Sequence, residues 1–152
     1  MAVAAHVSRV AKDYAPHGYS IMESSCVTAV TFDSGTEAST VTLLISDDAD
    51  VYIESIVMLP LNGVATDNTN FLTIRCSSFA SGGTDGQSHF ATINTTTAAG
   101  IALVVDTQYT QTVLNPVLAK GRQLVATVAP DTAHATTQDI QISFYVRYRR
   151  KA

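Results

Sequence analysis

The residues best able to do chemistry in this 152-residue chain are few and scattered. Val30-Thr31-Phe32-Asp33-Ser34-Gly35 carries the Asp-Ser-Gly triplet with which aspartic proteases present a carboxylate, two such groups sharing one proton at close range. A homodimer could supply one Asp33 from each subunit. The later apolar pair followed by Gly, which packs beneath such a loop, is not convincingly present, and a strand that ends in an Asp-Ser-Gly turn accounts for the same residues.

The other candidates weaken in the same way. His6, His17, His89 and His134 are dispersed and form no H-x-H, H-x-x-H or H-E-x-x-H spacing, so they read as isolated surface or interface histidines. Asp47-Asp48-Ala49-Asp50 gathers carboxylates but lacks the alternating ligand spacing and the closing Glu of a calcium loop, which leaves a solvated turn. Gly82-Gly83-Thr84-Asp85-Gly86 has neither the Lys nor the following helix of a phosphate cradle. G-x-S-x-G and C-x-x-C do not occur. The sequence therefore predicts no enzyme, no cofactor and no metal site.

Charge divides the chain. Residues 21–146 hold three bases and twelve acids, 3 − 12 = −9; residues 1–20 add +1 and the last six residues +4, which together give the net −4. An acidic body argues against a nucleic-acid partner, because neutralising phosphates requires clustered Lys and Arg. Arg147, Arg149, Arg150 and Lys151 concentrate four of the nine bases at the C-terminal end. That end is a solvated strand terminus or a contact with an acidic neighbour such as another copy's body, where complementary charge fixes register. Cys26 and Cys76 stand far apart and read as buried thiols of a cytoplasmically made protein. No apolar run approaches the ~18 residues of a membrane span, and the first residues lack the pattern of a signal peptide, so no membrane partner is expected.

What remains is a scaffold problem. With 20 Thr, 20 Ala, only three Glu and only three Lys, the composition suits strands and short polar turns better than solvated helices. Ile140, Ile142, Phe144, Val146 and Tyr148 alternate with polar residues, as do Val41, Leu43 and Ile45; Val51, Ile53, Val57 and Leu59; Leu72, Ile74 and Cys76; Ile101, Leu103 and Val105; and Leu124, Ala126 and Val128. Each set is expected to face a core. Turn residues fall between the sets, at Asp33-Ser34-Gly35, Asn62-Gly63 and Lys120-Gly121 among others. About eight strands separated by such turns predict an all-β antiparallel sandwich or barrel over residues 21–152.

Residues 1–20 differ: Val3, Val7, Val10 and Tyr14 make a helical stripe about two turns long, too short to be stable alone. They are expected to form an N-terminal arm that docks on a neighbour or stays mobile.

Asp50-Val51-Tyr52-Ile53-Glu54-Ser55-Ile56-Val57-Met58-Leu59-Pro60-Leu61, then Val64-Ala65-Thr66-Asp67-Asn68-Thr69-Asn70-Phe71-Leu72-Thr73-Ile74, resembles the strand, Asx/Thr-rich turn and strand of small structural proteins of tailed bacteriophages. Ile140 to Tyr148 is similar to their closing strand. The family resembled is the jelly-roll capsid decoration, or cement, proteins. The resemblance implies a jelly-roll sandwich, a homotrimer, a major capsid protein as partner and a place on the outer surface of a virion, and it supplies no catalytic residues. On that expectation the contact elements are Val3, Val7, Val10 and Tyr14 of the arm with Arg147, Arg149 and Arg150 of the C-terminal end. A receptor- or glycan-binding module of a phage fibre or tail is the alternative.

Overall fold

The computed structural model describes residues 23–32, 38–67, 71–80, 86–96, 100–130 and 139–151. The arm stripe Val3, Val7, Val10 and Tyr14, as well as Asp33, His6, His17 and His134, lies outside them. Ten strands are described: β1 (Glu23–Phe32), β2 (Ser39–Ser46), β3 (Val51–Pro60), β4 (Leu72–Ala80), β5 (Gln87–Ser88), β6 (Ile93–Asn94), β7 (Tyr109–Thr110), β8 (Val117–Leu118), β9 (Arg122–Pro130) and β10 (Ile140–Arg150).

The strands form two antiparallel sheets. One has the order β1-β10-β3 with β7 and β8 sharing the free edge of β3; the other has the order β2-β9-β4 with β5 and β6 sharing the free edge of β4. The ten segments thus fill eight strand positions, four per sheet. The six long strands β1, β2, β3, β4, β9 and β10 alternate between the sheets in chain order except where the short edge pairs intervene between β4 and β9. This is the jelly-roll form of the sandwich that the resemblance implies.

Both inner faces supply the core. Ile140, Ile142, Phe144, Val146 and Tyr148 are buried as their alternation predicts, and so are Leu72, Ile74, Cys76, Leu124, Ala126 and Val128. Phe32 meets Phe144 edge to face, with centroids 6.3 Å apart. Each such side chain contributes about 1.5–3 kcal/mol by leaving water.

Three expected faces are corrected. In β2 the pairing skips Leu43, so Leu43 and Leu44 are both buried and Ile45 turns outward, 52% exposed. In β3 Glu54 is the extra residue opposite the Arg147/Tyr148 step; Val51 and Ile53 point inward before it, whereas Ile56 and Met58, not Val57 and Leu59, do so after it. A bulge shifts the side-chain period by one residue, and the inward set changes parity. The run Ile101, Leu103, Val105 is no strand: Leu103 is buried through a single bridge to Val64, and Ile101 and Val105 are exposed.

The two sheets are stitched along one flank. Between β7 and β8 the chain leaves the edge of β3 and pairs Val113 with Phe90, which lies between β5 and β6 of the other sheet. Ala91 N–H donates to Thr112 O at 2.9 Å and Leu114 N–H to His89 O at 2.8 Å. Opposite this flank the edges of β1 and β2 lie against each other, with the Ser25 hydroxyl donating to Leu43 O at 3.0 Å, and both strands carry a bulge there. Bulges are one way to make an edge a poor template for further strands.

Gly121, at the turn entering β9, has φ +77° with open space where a Cβ would stand. Substituting Gly121→Ala is expected to cost about 1 kcal/mol, from backbone conformation alone. By contrast, Phe144→Ala, at the centre of the core, should cost about 3–5 kcal/mol in urea denaturation. Equal losses at the two sites would contradict this placement of the core.

Candidate functional site

The C-terminal end of β10 crosses the sheet between β1 and β3, so its outward residues alternate with Ile142, Phe144, Val146 and Tyr148 below them. The bulge at Glu54 brings that carboxylate beneath Arg149, whose Nε lies 2.6 Å from Glu54 Oε1. Arg150 reaches Glu23 at 3.3 Å on one side and Asp48 at 3.2 Å on the other, with its guanidinium 5.7 Å from the Tyr148 ring centroid. Lys151 completes the clasp: its N–H donates to Asp50 O at 2.8 Å, and its ammonium lies 3.5 Å from Asp50 Oδ2. The Asp50 carboxyl is held below its ordinary pKa, first by the Lys120 backbone N–H that donates to it at 3.0 Å and then by Lys151.

The acidic body and basic end therefore meet within one chain. Arg149 and Arg150 have acids of their own chain as neighbours, and Arg147 is left exposed on the outer sheet face. Part-exposed pairs of this kind contribute little stability each, but four on one strand end fix where that end lies.

Arg147 lines an open depression of about 540 Å³ on that face, together with Ser24, Cys26, Ser55, Thr110 and Tyr145. Strand pairing places them side by side: Ser24, Arg147 and Ser55 form one row, and Cys26, Tyr145, Val57 and Thr110 the next. Cys26 is thus exposed rather than buried, whereas Cys76 is buried as expected; both thiols are free. Burial pushes the Cys76 thiol up to about 12, so it is protonated and inert at neutral pH. The sequence marks Arg147 by charge, but the hydroxyl-bearing rows beside it carry no signal until three strands are in register.

His89 is the second correction among the chemical candidates: it is fully buried, not at a surface. Its Nδ1 lies 2.7 Å from Asn115 O and its Nε2 2.8 Å from Ser78 Oγ. A carbonyl can only accept, so Nδ1 carries the proton and Nε2 accepts from the Ser78 hydroxyl. Arg122 Nε donates to the same Ser78 Oγ at 3.1 Å, and Arg122 also donates to Ser78 O at 3.2 Å. A serine hydroxyl aimed at an imidazole is the arrangement of a hydrolase nucleophile. Here Ser78 is wholly buried, so no substrate reaches it, and the group instead ties β4, β9 and the stretch at Asn115 together. Among the described residues no cluster of three or more His, Cys, Asp or Glu side chains could hold a metal ion, and no helix is long and apolar enough to cross a membrane.

No family model matches the chain, and no curated protein matches it. Among solved structures it is similar to a chain of the cyanophage Pam1 capsid asymmetric unit, with TM-score 0.54 and 16% identity over 90% of this chain and 89% of that one. It also aligns with a chain of the acidic stable capsid of Helicobacter pylori bacteriophage KHP30, with TM-score 0.44 and 11% identity over 86% of this chain and 95% of that one. At these identities the first likeness is one of fold, and it agrees with the jelly-roll topology read from the strand order.

Burial, and secondarily the nearby Arg122 charge, lower the His89 pKa, opposed by the bond to Asn115. The unfolded chain takes up a proton near the ordinary 6.5, while the folded imidazole resists until lower pH. The stabilisation from His89 is thus complete above about pH 6.5 and declines as pH falls below it. In denaturation midpoints measured from about pH 7.5 to about pH 5, the wild type should lose more stability on acidification than His89→Gln. Parallel pH profiles would contradict the assignment.

Proposed function

We propose that this chain is a viral structural protein: a capsid decoration, or cement, protein that binds the outer surface of a phage head as a homotrimer and bridges neighbouring major capsid subunits. The observation that carries the reading is the two-sheet jelly roll itself, matched in fold over nine-tenths of its length by a chain of a phage capsid asymmetric unit.

Such a protein works by mass action. A partner that binds the mature lattice and not its dissociated parts stabilises the lattice in proportion to occupancy and affinity. Three linked copies turn individually weak contacts into a stable attachment. The proposed contact elements are Val3, Val7, Val10 and Tyr14 of the arm and Arg147, Arg149 and Arg150 at the C-terminal end. Of the three arginines Arg147 is the exposed one, so it offers the sharper test.

A second reading, a receptor- or glycan-binding module, draws on the outer-face depression, which Tyr145 lines with an aromatic ring and Arg147 with a cation beside the hydroxyls of Ser24, Ser55 and Thr110. Binding on a glycan array without attachment to heads would favour it.

The experiment is co-sedimentation of the purified chain with undecorated heads. The full chain should bind in stoichiometric, saturable amounts. A chain lacking residues 1–15 should stay folded and lose binding, and Arg147→Glu should weaken it about tenfold, about 1.4 kcal/mol. Undiminished binding by the truncated chain would remove the arm from the account, and no binding by the full chain would overturn the decoration reading.

A further inference from the structure

Large apolar side chains are exposed unevenly. Among the described residues eight are exposed, and six of them, Ile101, Val104, Val105, Val113, Leu114 and Val117, lie between residues 101 and 117. Leu114 is 61% exposed and Val104 54%. Both groups hang from the free edge of β3. Val117 pairs with Tyr52 at one end of it. At the other, Asp106 N–H donates to Pro60 O, and Tyr109, paired with Met58, grips the 101–105 stretch: its hydroxyl donates to Ala102 O at 2.9 Å and accepts from Val104 N–H at 2.8 Å. Val113 and Leu114 stand between them, held by Phe90 and His89 of the other sheet.

The same flank is almost without charge. From residue 86 to residue 119 the chain has one ionic side chain, Asp106, although residues 21–146 carry twelve acids against three bases. We infer that this flank is where a second copy of the chain seats, the flanks of neighbouring copies converging on a symmetry axis so that each covers the other's apolar side chains.

Charge selects that occupant. The folded sandwich of residues 21–152 carries seven bases and twelve acids, 7 − 12 = −5, and two copies meeting through acidic surface would set like charges against each other, which is costly. The flank lets identical surfaces meet without that repulsion, and depletion of charge with exposed apolar groups is the composition of an interface centre. A partner that docks through a charged patch, whether basic or acidic, finds almost no counter-charge here. Copies arranged about one rotation axis bring the same patch of each to the centre of the assembly. The flank is also ordered in advance by the Tyr109, His89 and Val113 bonds, so little ordering is left to oppose association.

This inference deepens the homotrimer of the proposed function by giving it a surface, and it is tested without any head. In sedimentation velocity the full chain should associate. Leu114→Asp and, separately, Val104→Asp should each weaken association at least about tenfold with unchanged circular dichroism and denaturation midpoint. Ile45→Asp replaces an equally exposed apolar side chain on the opposite sheet and should leave association intact. A monomeric wild type would overturn the inference, as would association unaffected by both flank variants or lost equally in Ile45→Asp. A monomeric wild type whose head binding is abolished by Leu114→Asp would assign the flank to the shell instead. Intact association without head binding would overturn the decoration reading and leave this one standing.

Discussion

Burial of the inner faces of two twisted sheets against one another is the interaction on which the rest of this protein depends. Phe144, Ile142 and Val146 of one sheet and Ile74, Leu124 and Ala126 of the other are wholly or almost wholly excluded from water, and nothing else described in the chain has comparable apolar mass. A sandwich built this way has four exposed edges, each a row of unsatisfied main-chain groups. Here two edges are joined to one another through Phe90 and Val113, and the other two lie together and are bulged. The short strands β5 to β8 follow from that joining, since an edge chain that must serve both sheets cannot run long in either.

The electrostatics is arranged around the same frame. Closing β10 over β1 and β3 carries a basic tail to the rim of an acidic body, and Glu23, Asp48, Asp50 and Glu54 receive it. The charge asymmetry of the sequence is in this way partly spent inside the molecule. What remains outward is an open face with Arg147 and Tyr145, and a flank with almost no charge. A surface so divided suits a protein that meets its own copies on one side and something else on another.

How much of this the sequence discloses varies with local regularity. β10 was legible from Ile140 to Tyr148 because its inward residues keep period two without interruption. β2 and β3 were legible as strands, but Ile45 in the first and Val57 and Leu59 in the second were assigned to the wrong face, because Leu43 and Glu54 are bulge residues and a bulge leaves no mark in an apolar pattern. Ile101 to Val105 has the composition of a strand and lacks a partner for one: only Leu103 finds the core, and the rest stay outside. His89 looked like a surface residue because its partners, Ser78 and Asn115, lie 11 and 26 residues away. Sites assembled across strands, such as the rows beside Arg147, are invisible until register is known.

The central claim is that the chain covers the outside of a phage head. Cryo-electron microscopy of the virus particle that carries it tests this most directly. The account predicts density for this jelly-roll sandwich at repeating positions over the outer shell, with copies in contact through the 101–117 flank. Density confined to a tail or fibre, or an outer shell without the sandwich, would contradict it.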